Sequence, residues 1–473
     1  MKKYDIAVIG GGVVGSAIAR ELSQYKLDCV LLESAEDVGT GTSKANTAIW
    51  HTGFDAKHGT LEARLLRRSY QRLEEYVPQT GIPHEKTGAV LVAWNEAQFE
   101  ALSGIVERAH ENGVKDVHTL TLDEIYELEP KINSNALGGL IVPGESIICT
   151  FTLPLSYVTQ AVENGVDLLL NFPVENISPR DSETWALSGS GGEIAARHVI
   201  NAAGLYSDEI DHLFGHNRFT VTPRRGELIV FDKLARPLVN HVLLPIPTAI
   251  TKGVLVSPTV YGNIMLGPTA EDLQDKNQKG TSEEGLNFLW QKGEAIISTL
   301  MKEEVTATYA GLRAATEHKD YQIYSHPEQR YICVGGIRST GLSASLGISE
   351  YVLELLKDFD IKLEKKKDFK TIKMPYIGEK DERPYQSEEA IKSNPDYGKI
   401  VCHCEKVTLG EIKDALHSPV PAKTLEGLRR RTRCMQGRCQ GFHCHADITA
   451  IMAEELGTEA SNLLGLEDDN EKA

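Results

Sequence analysis

The chain has no apolar run approaching the roughly 18 residues that a membrane-crossing helix requires. A secretory leader is not expected either. The apolar stretch 6–9 runs straight into glycines, without the charged segment, long apolar core and small-residue cleavage site of a leader. Positive charge is scarce: 50 Lys and Arg against 67 Asp and Glu leave a net charge of −17. That excludes broad nucleic-acid binding, which needs clustered cations to neutralise phosphates, but allows a local basic pocket for a small anionic substrate. Up to residue 400, cysteine is confined to Cys29, Cys149 and Cys333, each in apolar, strand-like surroundings. This is no disulfide framework. The expected location is cytoplasmic, with peripheral membrane contact left open. No internal repeat is present.

What is there suffices for a large folded protein. At roughly 150 residues per domain, 473 residues give about three domains. A hydrophobic share of 41% can fill their cores and rules out global disorder. Residues 4–10 form a short apolar run ending in glycines, as a buried parallel strand does. A helix follows from Gly15, and 28–33 (DCVLLE) reads as a second strand, so the chain opens with a β-α-β unit. Further strands are expected at 88–93, 166–171, 227–231, 253–256 and 331–334. Helices are expected up to Asn112, over 121–128 with Thr121 and Glu124 as a capping box, over 154–164 and near 286–301. The texture changes at 361–398, which is rich in Lys and Glu, carries Pro375, Pro384 and Pro395, and reads as a linker wrapping over the surface.

Gly10, Gly12 and Gly15 form G-x-G-x-x-G between the first strand and the first helix. The first glycine allows the tight turn, the second lets the backbone approach a pyrophosphate, and the third permits close helix–strand packing. The helix N-terminus then favours the phosphate charge. Glu33, at the end of the second strand, is spaced to accept hydrogen bonds from a ribose. The pattern implies a dinucleotide without choosing FAD over NAD.

Three more segments resemble the D-amino-acid-oxidase-like superfamily of flavoproteins: SKANTAIWHTG (43–53), NAAG (201–204) and GGIRSTG (335–341). A closer likeness, to glycerol-3-phosphate oxidases and dehydrogenases, rests on the first of these, TPRRGELIVF (222–231), KGVLVSPTVYGNIMLGPTA (252–270) and GIRSTGLSAS (336–345). It covers about residues 1 to 360. The resemblance implies extended FAD, with contacts at Ser43, Asn46, Thr47, Val174, Ala203, Gly204, Gly336, Gly341 and Leu342 beside the fingerprint residues. It also implies an α/β fold in which a Rossmann-like FAD-binding domain (1–85, 145–215, 326–360) is interleaved with an α+β substrate domain (86–144, 216–325). A small helical iron–sulfur domain (399–456) and an acidic tail (457–473) would complete the chain, the last residues from 467 on being frayed.

Oxidising a secondary alcohol requires a base for the hydroxyl proton while hydride leaves for the flavin. His51 is the expected base, since imidazole titrates near neutrality. Arg313, in Gly311-Leu312-Arg313, resembles the arginine that binds the substrate's anion in the superfamily, and its fork suits phosphate or carboxylate. Arg225, Lys252 and Ser339 are further substrate-binding candidates, with Arg338 beside them. Trp50 stands where the family has a small aliphatic residue, which predicts a different pocket floor. The substrate expected from this set is a polyol phosphate such as glycerol 3-phosphate. A 2-hydroxy acid such as L-2-hydroxyglutarate, a secondary amine, and a non-catalytic electron-transfer subunit are the alternatives.

The other five cysteines, Cys402, Cys404, Cys434, Cys439 and Cys444, crowd into the C-terminal region. C-x-C followed by C-x4-C delivers four thiolates, which suits a [2Fe–2S] cluster. Four thiolates with His403, His443 and His445 nearby also suit zinc. Residues 399–456 resemble the bacterioferritin-associated ferredoxin domain found fused to glycerol-3-phosphate dehydrogenases. That likeness implies Cys402, Cys404, Cys439 and Cys444 as ligands, leaves Cys434 as the extra cysteine, and implies a second flavoprotein or other electron-acceptor subunit as partner.

Overall fold

The computed structural model describes residues 2–246 and 253–465. Lys252 and the end of the acidic tail lie outside the described residues. The chain divides into two compact units, between Met374 and Pro375. No helix among the described residues is long and apolar enough to cross a membrane.

The first unit is built on two sheets whose strands alternate along the sequence. One has Lys3–Ile9 at its centre, parallel to Cys29–Leu32 on one side and to Gly192–Asn201 on the other. Asp167–Leu169 and Tyr331–Gly335 continue the parallel set. Ile6, Ala7 and Val8 are fully buried, as apolar β-formers covered on both faces should be. Gly192–Asn201 is long enough to pair twice, its first half with Trp185–Gly189 and its end with Tyr331–Gly335. The strands ending at Ile9, Leu32 and Asn201 stop at one level, with Cys333 beside Asn201. The fingerprint loop, Glu33 and the Ala202–Gly204 turn therefore share the carboxyl edge, where parallel sheets bind ligands.

The second sheet is mostly antiparallel and has, among the described residues, nine strands, from 89–93, 118–120, 138–142 and the segments between 222 and 315. Its longest pair is Thr222–Phe231 against Val305–Ala315. A three-stranded sheet of Ile49–Trp50, Ser146–Ile148 and His84–Glu85 lies where the sequence crosses between the two large sheets. The interleaving matches the expected fold class. The capping box at Thr121 forms, opening the helix Leu122–Leu128. The strand expected at 253–256 lies at Leu255–Pro258, and the helix expected near 286–301 is Glu283–Ile296.

The stretch expected as a linker is shared between the units. Residues 361–374 are stitched onto the first: Lys26 N donates to Glu364 O, Lys366 N to Gln24 O and Met374 N to Thr80 O. Residues 375–398 fold with the second, where Arg383 is buried and bonded to Glu411 and to the carbonyl of Glu405. The second unit is otherwise a short hairpin, Ile400–Cys402 with Val407–Thr408, and helices Leu409–Leu416, Leu425–Thr432, His445–Leu456 and Ala460–Leu464 around an apolar core.

Candidate active site and cluster module

At the carboxyl edge of the parallel sheet the fingerprint glycines are held by contact. An added Cβ at Gly10 would lie 2.5 Å from Ala202 O, and one at Gly15 would lie 1.9 Å from Gly10 O. Gly12 is open by comparison, its nearest neighbour being Ser43 Oγ at 3.4 Å. Glu33 accepts hydrogen bonds from Gly11 N (2.7 Å) and Ala35 N (2.8 Å). Burial raises its pKa, and those two N–H groups oppose the rise. Ser43 Oγ accepts from Val13 N at 2.9 Å, which ties the 43–48 loop to the first helix, Val13–Leu22. An added Cβ on Gly341 would sit 3.6 Å from Val14 Cγ2, so a second helix N-terminus, that of Gly341–Leu355, stands beside the first. Gly336 takes φ +66°, a left-handed conformation that favours glycine. Leu342 is buried, and Val174 and Ala203 pack against the core of this sheet. Gly204 begins the short turn after the strand Gly192–Asn201. Glycines without room for a side chain, two adjacent helix N-termini and a carboxylate at the strand end fit a dinucleotide.

His51 follows the short strand Ile49–Trp50. Its backbone N donates to Ser343 Oγ at 2.9 Å, so the Gly341–Leu355 helix fixes the histidine's main chain. Its Nδ1 lies 2.8 Å from Glu145 Oε2, and Glu145 is fully buried. Trp50 points the other way, packing on Tyr70 and His84. Asn46 bonds Ser43 O and Thr150 Oγ1 and accepts from Ala48 N, which lets Ala48 adopt φ +54°. Thr47, between them, is half-buried.

The strand Val305–Ala315 meets this loop through alternate residues. Tyr309 Oη donates to Asn46 O at 2.7 Å, and an added Cβ on Gly311 would lie 1.9 Å from Ala45 O. By the two-residue period Arg313 shares that face. Its Nη2 donates to Thr269 O at 3.2 Å, and Gly226 leaves space for the guanidinium. Among the described residues no carboxylate pairs with it. Burial, with repulsion from Arg224, holds its pKa down to about 10.

The other cations are committed. Arg225 lies on the opposite face, bonded to Glu271 (2.5 Å) and to Gly280 O. Arg338 is bonded to Glu62 and Lys319 O. Ser339 is exposed. His51 and Arg313 are thus linked through the 43–48 loop, whereas Arg225 is turned away from it. Sequence motifs did not point to Glu145, Tyr309 or Thr150, and Ser343 lies in the GIRSTGLSAS segment without having been singled out. Glu145 sits in a Pro-Gly-Glu turn outside the segments on which the resemblance rests.

In the second unit Cys402, Cys404, Cys439 and Cys444 line one depression of about 450 Å³ with His403 and His443. Cys402 and Cys444 are buried, while Cys404 is exposed. The thiols neighbour one another in pairs, Cys404 with Cys439 and Cys402 with Cys444. Backbone N–H groups, that of His443 foremost, lower the pKa of Cys439 and so favour a thiolate ligand. Gly437 lets the two cysteine loops meet, since an added Cβ would lie 2.4 Å from Cys404 Cβ. Cys434 does not line the depression; it is fully buried in the apolar core, where burial pushes its thiol up to about 12. Among the described residues no three His, Cys, Asp or Glu close on one point as a single ion requires. A two-iron cluster takes two thiolates per iron, which two neighbouring pairs fit.

Residues 5–355 match the FAD dependent oxidoreductase family, and residues 400–454 match the BFD-like [2Fe-2S] binding domain. The chain belongs to the FAD dependent oxidoreductase family. It is 37% identical to a glycerol 3-phosphate dehydrogenase of Caloramator mitchellensis, over 97% of this chain and 96% of that one. An L-alpha-glycerophosphate oxidase from Mycoplasma pneumoniae, solved with FAD bound, superposes with a TM-score of 0.75 at 30% identity. It covers 80% of this chain and is itself covered completely. The bovine mitochondrial L-2-hydroxyglutarate dehydrogenase is 30% identical over 56% of this chain and 61% of its own length. This member of the family is therefore an FAD-dependent oxidoreductase whose cofactors are FAD and a [2Fe–2S] cluster.

Proposed function

We propose that this enzyme is a dehydrogenase of sn-glycerol 3-phosphate or a closely similar polyol phosphate, working in the cytoplasm. The carrying observation is Arg313, a half-buried cation with no carboxylate partner among the described residues, on the strand face that meets the 43–48 loop. Such a charge favours an anionic ligand, because an ion drawn partly out of water without a counter-ion is costly. Its planar fork binds the phosphate of the substrate. His51 takes the proton from the secondary hydroxyl. FAD, when bound, accepts the hydride that leaves the same carbon, so the alcohol becomes a ketone.

The name of the Caloramator relative, which the chain matches nearly end to end, supports the phosphate substrate. The two-thiol pairs of the second unit support one-electron export to an acceptor, for which a second flavoprotein subunit is our candidate. A carboxylate would also suit Arg313, so the test compares both anions. Anaerobic titration of the purified enzyme with glycerol 3-phosphate should bleach the oxidised flavin bands, while L-2-hydroxyglutarate at the same concentration should leave them. The reverse pattern would replace this reading with a hydroxy-acid dehydrogenase.

A further inference from the structure

Glu145 has no solvent exposure. It ends the turn between the strands Gly138–Val142 and Ser146–Ile148. Its carboxylate meets three groups, all from one dipeptide: Oε2 lies 2.8 Å from His51 Nδ1, and Oε1 accepts from Thr52 N (2.7 Å) and Thr52 Oγ1 (2.8 Å). The turn itself is pinned. Gly88 N donates to Glu145 O and Tyr70 Oη to Gly144 O. An added Cβ on Gly144 would lie 2.8 Å from Thr52 Cγ2.

A carboxylate this deeply buried is costly as an anion unless a cation faces it. Among the described residues no Lys or Arg pairs with Glu145; its ion-pair partner is His51. Among the described residues Tyr70 is a further titratable group near Glu145, and burial pushes its hydroxyl up to about 12. Tyr70 stays neutral across the range in which imidazole titrates.

We infer that Glu145 is the positioning residue of the proton transfer: it accepts the Nδ1 proton of His51, fixes the tautomer, and leaves Nε2 as the nitrogen that takes the substrate's hydroxyl proton. The inference rests on the reading of His51 as base. The substrate O–H bond breaks and its proton bonds to Nε2, while hydride passes to the bound flavin. Glu145 neither gains nor loses a proton, and it offsets the charge that the imidazole acquires.

The test is anaerobic stopped-flow reduction of the FAD-loaded enzyme by glycerol 3-phosphate, from about pH 5 to about pH 9 around the histidine range. Glu145→Gln, with FAD content unchanged, should lower the limiting rate by about 100-fold or more. Substrate Kd should stay within about threefold, since Glu145 acts through His51 rather than on the anion. A carboxylate partner raises an imidazole's pKa, so its loss should move the acidic limb of the rate profile down by at least about one pH unit. In a His51→Ala background the same change should cost nothing further.

Should Glu145→Gln fail to retain FAD, Thr52→Val carries the same test. It frees Oε1 from its hydroxyl donor and should lower the limiting rate by about 3- to 10-fold, with the acidic limb displaced. An unmoved limb with a rate near wild type, in whichever variant folds, overturns the role of Glu145. A His51→Ala enzyme that is reduced at the wild-type rate would instead sink the reading of His51 as base.

Discussion

Four arginines near the site differ in one respect that decides their roles. Arg224 pairs with Asp272, Arg225 with Glu271 and Arg338 with Glu62, so each charge is already balanced. Among the described residues Arg313 has only a carbonyl contact, at 3.2 Å. A base whose pKa is lowered by burial favours its neutral form, yet at about 10 Arg313 is still protonated at neutral pH. Its charge therefore costs folding free energy at neutral pH until an anion binds. Arg313→Met should raise the melting temperature of the substrate-free enzyme by about 1–3 °C. The same change should lower kcat/KM for glycerol 3-phosphate by about 30-fold or more, because a charged hydrogen bond to the phosphate is lost. Differential scanning calorimetry and steady-state kinetics measure the two effects. A lower melting temperature together with unchanged kcat/KM would make Arg313 a structural residue.

At the scale of elements, what lay within one sequence window could be read and what depended on pairing could not. The strand–glycine–helix opening, the acid at Glu33 and the cysteine spacing are local patterns, and the fold keeps them together. The helix Leu61–Thr80 has a plain buried stripe through Leu65, Leu66, Tyr70, Leu73 and Val77. It was nonetheless not expected, because its charged residues and Pro78 obscure the period. The strand Val305–Ala315 alternates small and polar residues, most of them only partly buried, and its identity comes from pairing with Thr222–Phe231. That pairing also decides that Arg313 faces the loop and Arg225 does not. No local pattern contains this, nor the meeting of Glu145 with His51 across 94 positions. The strand's contact with the loop is testable at Gly311. An alanine there must displace Ala45 O, an overpacking cost of about 1–3 kcal/mol. Gly311→Ala should weaken FAD binding by about 5- to 100-fold, read as flavin fluorescence released on dilution; retention equal to wild type would mean that the loop does not hold the cofactor.

Across the whole molecule, the division between Met374 and Pro375 separates the two cofactor chemistries more sharply than the Lys- and Glu-rich stretch suggested. Composition reads 361–398 as one linker, because charge and proline say nothing about which neighbours the backbone bonds. Residues 361–374 close hydrogen bonds with Gln24, Lys26, Thr80 and Asn164, at 2.7–2.8 Å. At about 1 kcal/mol each, these four contribute about 4 kcal/mol to the first unit. Two truncations should therefore behave differently. A chain ending at Met374 keeps those bonds and should remain folded, hold FAD and be bleached by glycerol 3-phosphate. A chain ending at Asp360 loses them and should melt several degrees lower and shed FAD. Reductive titration supplies the second readout. The full chain should take up roughly three electrons and the Met374 truncation two, since a [2Fe–2S] centre holds one. Equal stability of the two truncations would return 361–374 to the role of a passive connector, and equal electron uptake by the full chain and the Met374 truncation would remove the cluster from the second unit.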